Sequence, residues 1–159
     1  MAIESIYAEA FIASVLKGDA TLVGASALNG ARVYPNRAPQ GTTASPTLYP
    51  LIIYNVQSPG DVNTANAVRM YARPLFQVRT VGKVIGTTLQ DASRVRAAAH
   101  RMDEILKGIR RQSFTIEGQT FYFNVWREDE LPTREEQGAT ADEFYRSYGG
   151  LYRVNVFQV

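Results

Sequence analysis

The residues able to perform acid–base or metal chemistry are few, and their spacing does not suit it. His100 is the only histidine and there is no cysteine, so neither a Ser-His-Asp triad on a Gly-x-Ser-x-Gly elbow nor a thiolate zinc site is indicated. Gly82-Lys83 lacks the rest of a phosphate-binding loop. Glu128 and Glu130 could be drawn as an acid and a base, but a charge-dense segment is a poor place to tune a pKa. The sequence predicts no catalytic residue, no cofactor, no metal ion and a protein that is not an enzyme.

Charged residues of opposite sign are instead clustered in different segments of the chain. The net charge of +2 is too small to indicate nucleic-acid binding. Basic residues gather in the second half of the main predicted helix and in the turn after it: Arg94, Arg96, Arg101, Lys107, Arg110 and Arg111. Acidic residues gather in segment 128–143: Glu128, Asp129, Glu130, Glu135, Glu136, Asp142 and Glu143. These clusters are either two solvated faces or patches that attract each other between neighbouring copies of the chain.

Apolar residues at helical spacing predict two main helices. The first covers residues 3–17, with an apolar face formed by Ile3, Ile6, Tyr7, Ala10, Phe11, Ser14 and Val15. Asp19 is a good N-cap for a brief helical turn through Leu28. Thr88 followed by Asp91 resembles a capping box that opens the main helix, which ends near Gly108. Its apolar stripe is Val95, Ala99, Met102, Ile105, Leu106 and Ile109.

The remaining periodic segments predict strands. They are residues 51–56, 75–81, 113–116, 120–127 and 152–159, with a tight hairpin at Glu117-Gly118-Gln119. Before the first of them, the prolines between Arg32 and Tyr54 exclude a helix and indicate an extended arm. This order predicts an α+β fold: one mainly antiparallel β-sheet with helices packed on one face, in a single domain covering residues 1–159.

Two segments are longer than a sheet of this size requires. Residues 57–75 exceed a hairpin loop, and their second half mixes apolar, aromatic and arginine residues, a composition favoured at protein interfaces. Either this stretch contacts a partner, or its strands extend into a long twisted hairpin with Tyr71 packed on its own sheet. Segment 128–143 is predicted to be a loop that becomes ordered on a partner.

Composition places the chain among globular proteins. Its 159 residues are 45% hydrophobic and 20% charged, typical of one soluble domain with a real core. No apolar run approaches the length of a membrane span, and the start of the chain lacks the features of a secretory signal. We therefore expect no membrane association and a cytoplasmic origin.

An ordered series of short motifs covers nearly the whole chain. It begins with Asp19-Ala20-x-Leu22-Val23, Arg32-Val33-Tyr34-Pro35, Ala38-Pro39-Gln40-Gly41 and Pro50-Leu51-Ile52, and it continues through the helix end at residues 103–108 to a closing strand at residues 151–157. In this order the motifs resemble the tail-terminator, or tail-completion, family of long-tailed bacteriophages.

The resemblance implies a homohexameric ring on the last ring of tail tube protein. Such a ring stops tube polymerisation and offers a docking surface to the head-side connector protein. The chain would assemble in the host cytoplasm and then lie at the head-proximal end of the virion tail. DNA would pass through the lumen without specific binding.

A ring of identical subunits needs a heterologous contact, so each subunit must carry two different, complementary patches. The candidate interface residues are Val68, Arg69, Met70, Tyr71, Arg73, Arg110, Arg111, Glu128, Asp129, Glu135 and Glu136. The acidic ones could instead line the lumen, where basic residues would hold DNA through its phosphates.

Two alternative functions stay open. One is a head–tail connector or adaptor of the phage neck. The other is a basic nucleic-acid-binding module using Arg94, Arg101, Arg110 and Arg111, although the sequence shows no aromatic platform interleaved with basic residues.

Overall fold

The computed structural model describes the backbone of residues 3–63 and 69–158 and the side chains of residues 5–60 and 71–157. In this part of the chain the helices are α1 (Ile3–Gly18), α2 (Ala20–Val23) and α3 (Ala92–Gly108). The strands are β1 (Val33–Pro35), β2 (Leu51–Ser58), β3 (Asp61–Asn63), β4 (Arg69–Ala72), β5 (Leu75–Ile85), β6 (Thr88–Leu89), β7 (Gln112–Ile116), β8 (Gln119–Gln137) and β9 (Glu143–Gln158).

All nine of these strands join one sheet, and the long strand β9 lies at its centre. One edge of β9 pairs with β5, which pairs in turn with β2, while the other edge pairs with β8 and so leads to β7. Strands β4 and β3 continue beside β9 beyond the start of β5. Every pairing is antiparallel except that of β1 with β2, which confirms the predicted α+β class with a mainly antiparallel sheet.

The helices lie on one face of the sheet and form the core with it. The ring of Phe11 from α1 stacks on that of Phe123 from β8, with the ring centroids 4.0 Å apart. From α3, Val95, Ala98, Met102 and Leu106 are buried. The alternation predicted for β5 is confirmed, since Phe76, Val78 and Thr80 are fully buried. The sheet therefore has a covered inner face and an open outer face.

Two helical predictions were wrong in detail. The buried side of α1 carries Ser5, Ala8, Ile12 and Leu16 beside Phe11, while Ile6 is 51% exposed. Apolar residues lie almost all round this helix, so their spacing alone does not fix which side packs. Asp19 does cap α2, accepting a 2.8 Å hydrogen bond from the Leu22 amide, but Asp91 makes no side-chain cap for α3 and has a left-handed backbone.

Both long segments are hairpins. The β2 and β5 strands continue into β3 and β4, and the ring centroid of Tyr71 lies 5.1 Å from that of Phe157. The twisted-hairpin interpretation of residues 57–75 is therefore confirmed for the described part. The predicted acidic loop at 128–143 was wrong, because β8 runs to Gln137 and pairs with β9 along its length.

Asp103 joins α3 to the sheet. Its carboxylate accepts a 2.8 Å hydrogen bond from the Tyr152 hydroxyl and lies 2.7 Å from Lys107 Nζ and 3.3 Å from Arg127 Nη1. Burial, followed by this hydrogen bond, raises the pKa of Tyr152. The helix layer is thereby held against β9 and β8 by polar contacts as well as by apolar packing.

Candidate functional site

The outer face of the sheet is the largest feature that the fold leaves uncovered. Because side chains alternate along a strand, burial of Phe121, Phe123 and Val125 on the inner face turns Tyr122 and Trp126 outward. No described helix packs on this outer side. Its side chains are therefore half-buried by their own neighbours and available to a partner.

One end of this outer face brings aromatic rings and arginines together. We name it the aromatic–arginine face and define it by Tyr71, Arg73, Arg111, Tyr122, Trp126, Glu128, Arg153 and Phe157. These residues come from β4, β8, β9 and two connecting turns. Strand register places Tyr122 opposite Phe157 and Trp126 opposite Arg153. Aromatic residues and arginine are the types most enriched at the centres of protein interfaces.

Two of the arginines make cation–π contacts on the face. The guanidinium carbon of Arg73 lies 5.3 Å from the centroid of the Trp126 ring, and that of Arg111 lies 5.5 Å from the Tyr122 ring. A cation–π contact restrains the guanidinium and does not use up all of its N–H donors. These arginines are therefore positioned in advance to donate hydrogen bonds to a partner.

Glu128 and Arg153 supply the ionic part of the face. Arg153 Nε and Nη2 donate hydrogen bonds of 2.7 and 3.0 Å to the two carboxylate oxygens of Glu128. These bonds are the main cause of the lowered pKa of Glu128. Three arginines against one glutamate leave the face with two net positive charges. An acidic or carbonyl-rich partner surface would complement it.

The structure brings together four of the predicted interface residues, namely Tyr71, Arg73, Arg111 and Glu128. Val68 lies outside the described residues, and Arg69 and Met70 are described only as backbone of β4. The structure does not bring the other predicted residues to this face.

Arg110 and the remaining acidic residues are engaged within the chain. Arg110 Nη1 donates hydrogen bonds of 2.8 and 2.6 Å to the carbonyls of Ile109 and Val125. Glu135 accepts a 2.6 Å hydrogen bond from Arg146 Nε, and Glu136 pairs with Arg134 at 3.1 Å. Asp129 Oδ1 accepts a hydrogen bond from the Glu130 amide. Glu135 and Glu136 thus already have ionic partners, whereas Arg110, Arg111 and Asp129 form no ion pair among the described side chains. The contact between Arg110–Arg111 and the acidic cluster stays a prediction.

Sequence reasoning missed Tyr122, Trp126, Arg153 and Phe157. The signal for them was present, because in the predicted strands 120–127 and 152–159 they occupy the positions that alternate with buried ones. Their proximity to Tyr71 and Arg73 depends on the pairing of β4 and β8 with the same strand, β9. Strand order of that kind is not visible in local periodicity.

The other chemical candidates lie apart from this face. His100 is on the outside of α3, with its side chain 77% exposed and Nδ1 3.6 Å from Glu104. Within residues 5–60 and 71–157, no group of histidine and acidic side chains is arranged to hold a metal ion. Among the described helices, none is both long enough and apolar enough to cross a bilayer.

The basic helix of the nucleic-acid alternative is also largely engaged. Arg94 donates to the carbonyls of Ala27 and Leu28 at 3.1 and 3.2 Å, closing the turn after α2. Arg101 donates to both carboxylate oxygens of Asp19 at 3.1 and 2.7 Å. These two arginines stabilise the fold and are not free to bind phosphates.

The fold of the chain is similar to that of a known virion chain. No family model and no curated protein sequence matches the chain. Among solved structures, a chain of the "Virion of native gene transfer agent (GTA) particle" superimposes with a TM-score of 0.50 and 17% sequence identity. The alignment covers 91% of this chain and 91% of that chain. The two chains therefore share a fold over nearly their whole lengths.

Proposed function

We propose that this chain is a structural protein of a phage-like virion and acts by binding other virion subunits. The observation that carries the proposal is the aromatic–arginine face, a preformed and uncovered interface on a fold shared with a gene transfer agent virion chain. The aromatic rings of this face are only half-buried, and a contiguous, partly exposed apolar surface often marks an interaction site. Burial of this face in an assembly would supply that use.

The specific role we propose is a ring that closes the head-proximal end of a tail tube. The ring is a homohexamer, stops further addition of tube protein and offers its other side to the head–tail connector. The order of sequence motifs supports this role. Closure of a ring requires one face of each subunit to bind a different face of the next, and the aromatic–arginine face serves as one of the two.

A paired charge reversal tests this function. Arg73→Glu removes the cation–π contact with Trp126 and places a negative charge on the aromatic–arginine face. Arg96→Glu is the matched control, because Arg96 is exposed on α3, on the opposite side of the sheet, and no ion pair with it is found among the described residues. We expect the wild-type and Arg96→Glu proteins to form rings and to cap tube subunits into tubes of limited length. Arg73→Glu should remain folded but lose capping.

Electron micrographs and light-scattering mass provide the measurement. A wild-type protein that neither forms rings nor limits tube length would contradict the role. Binding to a portal-side protein without any effect on tubes would favour a connector or adaptor of the neck, the first alternative.

A second candidate function gains support from the same face. Aromatic rings with interleaved arginines are also the composition of a platform for single-stranded nucleic acid, which the sequence alone did not indicate. Salt-sensitive retention of single-stranded DNA, abolished by Arg73→Glu and retained in Arg96→Glu, would favour this alternative. Absence of retention would dismiss it.

A further inference from the structure

A second feature of the open face is a groove beyond the aromatic–arginine face. It has a volume of about 360 Å³ and lies between the segment Asn36–Ala38, Tyr49 and the outer sides of β5, β8 and β9. Ile53 and Val81 give it an apolar floor. Tyr49 and Tyr145 stack at one wall, with their ring centroids 5.3 Å apart. The groove is open to solvent.

Arg79 is the chemically unusual residue of this groove. Its guanidinium is half-buried and donates hydrogen bonds of 3.1 Å to Ser147 Oγ and 3.5 Å to the Pro132 carbonyl. Within the described side chains it forms no ion pair, although Glu136, which pairs with Arg134 at 3.1 Å, also lines the groove and acts on Arg79 through its charge. Burial, followed by the nearby charge of Arg134, lowers the pKa of Arg79. A half-buried guanidinium that forms no ion pair can still accept an anionic group.

The chain itself carries a suitable carboxylate on the turn between β8 and β9. Asp142 is exposed, and its side chain has no ionic partner among the described residues, whereas the adjacent Glu143 pairs with Lys83 at 3.2 Å. The backbone of this turn is held in place by a 2.8 Å hydrogen bond from the Gly86 amide to the Asp142 carbonyl and a 2.7 Å bond from Gly138 to Glu143. Asp142 is thus presented on an ordered projection.

We propose that the turn at residues 138–142 of one copy enters the groove of the next copy and places the Asp142 carboxylate on the Arg79 guanidinium. Donor and acceptor are different parts of the subunit, so the contact is heterologous, as ring closure demands. This inference rests on the proposed ring. It is an alternative to the predicted contact between the Arg110–Arg111 turn and the acidic segment, and it uses two charges that form no ion pair among the described side chains.

A charge swap tests the contact in the full-length protein. Arg79→Glu and Asp142→Arg should each weaken assembly by about tenfold or more, and the double variant should restore it, since the two reversed charges again attract. Glu130→Arg is the control for Asp142→Arg, because Glu130 is another exposed acid of the same hairpin with no ion pair among the described side chains. Assembly of this control should match that of the wild type.

Sedimentation velocity over a concentration series measures the assembly constant, and circular dichroism verifies that each variant is folded. Arg79→Gln serves as a milder variant and should show a smaller loss than Arg79→Glu. Single reversals that assemble like the wild type, or a double variant no better than the singles, would overturn the contact while leaving the ring in place. Loss in Arg79→Glu but not in Asp142→Arg would assign the groove to another acidic partner. A wild-type protein that stays monomeric with and without tube subunits would refute the ring and this contact together.

Discussion

Glu9 is the one acidic side chain of α1 that the described structure places partly inside the protein. Burial raises its pKa, and the nearby carboxylate also contributes to the raised pKa of Tyr54. A carboxyl whose pKa is higher in the folded state favours folding when protonated. Its contribution is fully present below the unfolded-state pKa and is lost as pH rises through the folded-state pKa. At neutral pH the ionised Glu9 therefore lowers the free energy of unfolding.

Replacing Glu9 with glutamine should stabilise the protein at pH 7 by about 0.5 kcal/mol, a modest gain because the carboxylate remains partly open to solvent. The advantage should shrink as pH falls towards 4, where Glu9 itself becomes neutral. Urea unfolding at both pH values measures the difference, with Glu130→Gln on the exposed part of β8 as the control. Equal stabilisation at the two pH values would point to a cause other than ionisation.

At the scale of elements, Gly149 allows β9 to cross very close to β5. It pairs with Arg79 on one side and Leu131 on the other, between two irregularities in the register of β8. A Cβ at this position would overlap the Val78 carbonyl oxygen and approach the Arg79 Cα to 2.8 Å. Backbone atoms cannot give way as a flexible side chain would. The close approach of β9 to β5 at this point thus depends on this glycine.

Gly149→Ala should therefore lower the free energy of unfolding by about 2 kcal/mol or more. Gly108→Ala is the matched control, because nothing lies within 4 Å of the added Cβ at the end of α3. That control should be neutral or slightly stabilising. Chemical denaturation of the two variants gives both values, and a Gly149→Ala protein as stable as the wild type would show that the strands can separate there without cost.

The buried side could be predicted for strands whose side chains alternate between the core and the solvent. The inner face of β5 could be predicted from Phe76, Val78 and Thr80, because the residues between them are only half-buried. The phase of α1 was not predictable, since its apolar residues do not form a single stripe. The length of β8 was not predictable either, because acidic residues and Pro132 are poor strand formers. What sustains that strand is pairing with β9, including the cross-strand contacts of Glu128 with Arg153 and Glu135 with Arg146.

The candidate site could likewise be predicted only in part. Tyr71, Arg73 and Arg111 could be singled out by residue type, but their neighbours Trp126 and Tyr122 come from a strand far along the chain. Charged residues were the less reliable guide. The acidic cluster at 128–136 looks like a free patch in the sequence, yet Glu128, Glu135 and Glu136 each form an ion pair with an arginine of the same chain.

For the whole molecule, the central question is whether assembly covers the open face of the sheet. Trp126 is the only tryptophan and lies on the aromatic–arginine face, half-buried beneath Arg73. Its fluorescence therefore reports the environment of this face alone. If copies or tube subunits bind there, water leaves the indole ring and the surrounding polarity falls.

Increasing the protein concentration through the assembly transition should accordingly shift Trp126 emission to shorter wavelength and protect it from acrylamide quenching. The mass of the assembly, followed in parallel, should rise over the same concentrations. Arg96→Glu should reproduce both curves, whereas Arg73→Glu should show neither change. Particles that grow in mass while Trp126 remains as quenchable as in the monomer would mean that subunits join through another surface and that the aromatic–arginine face is kept for a later partner.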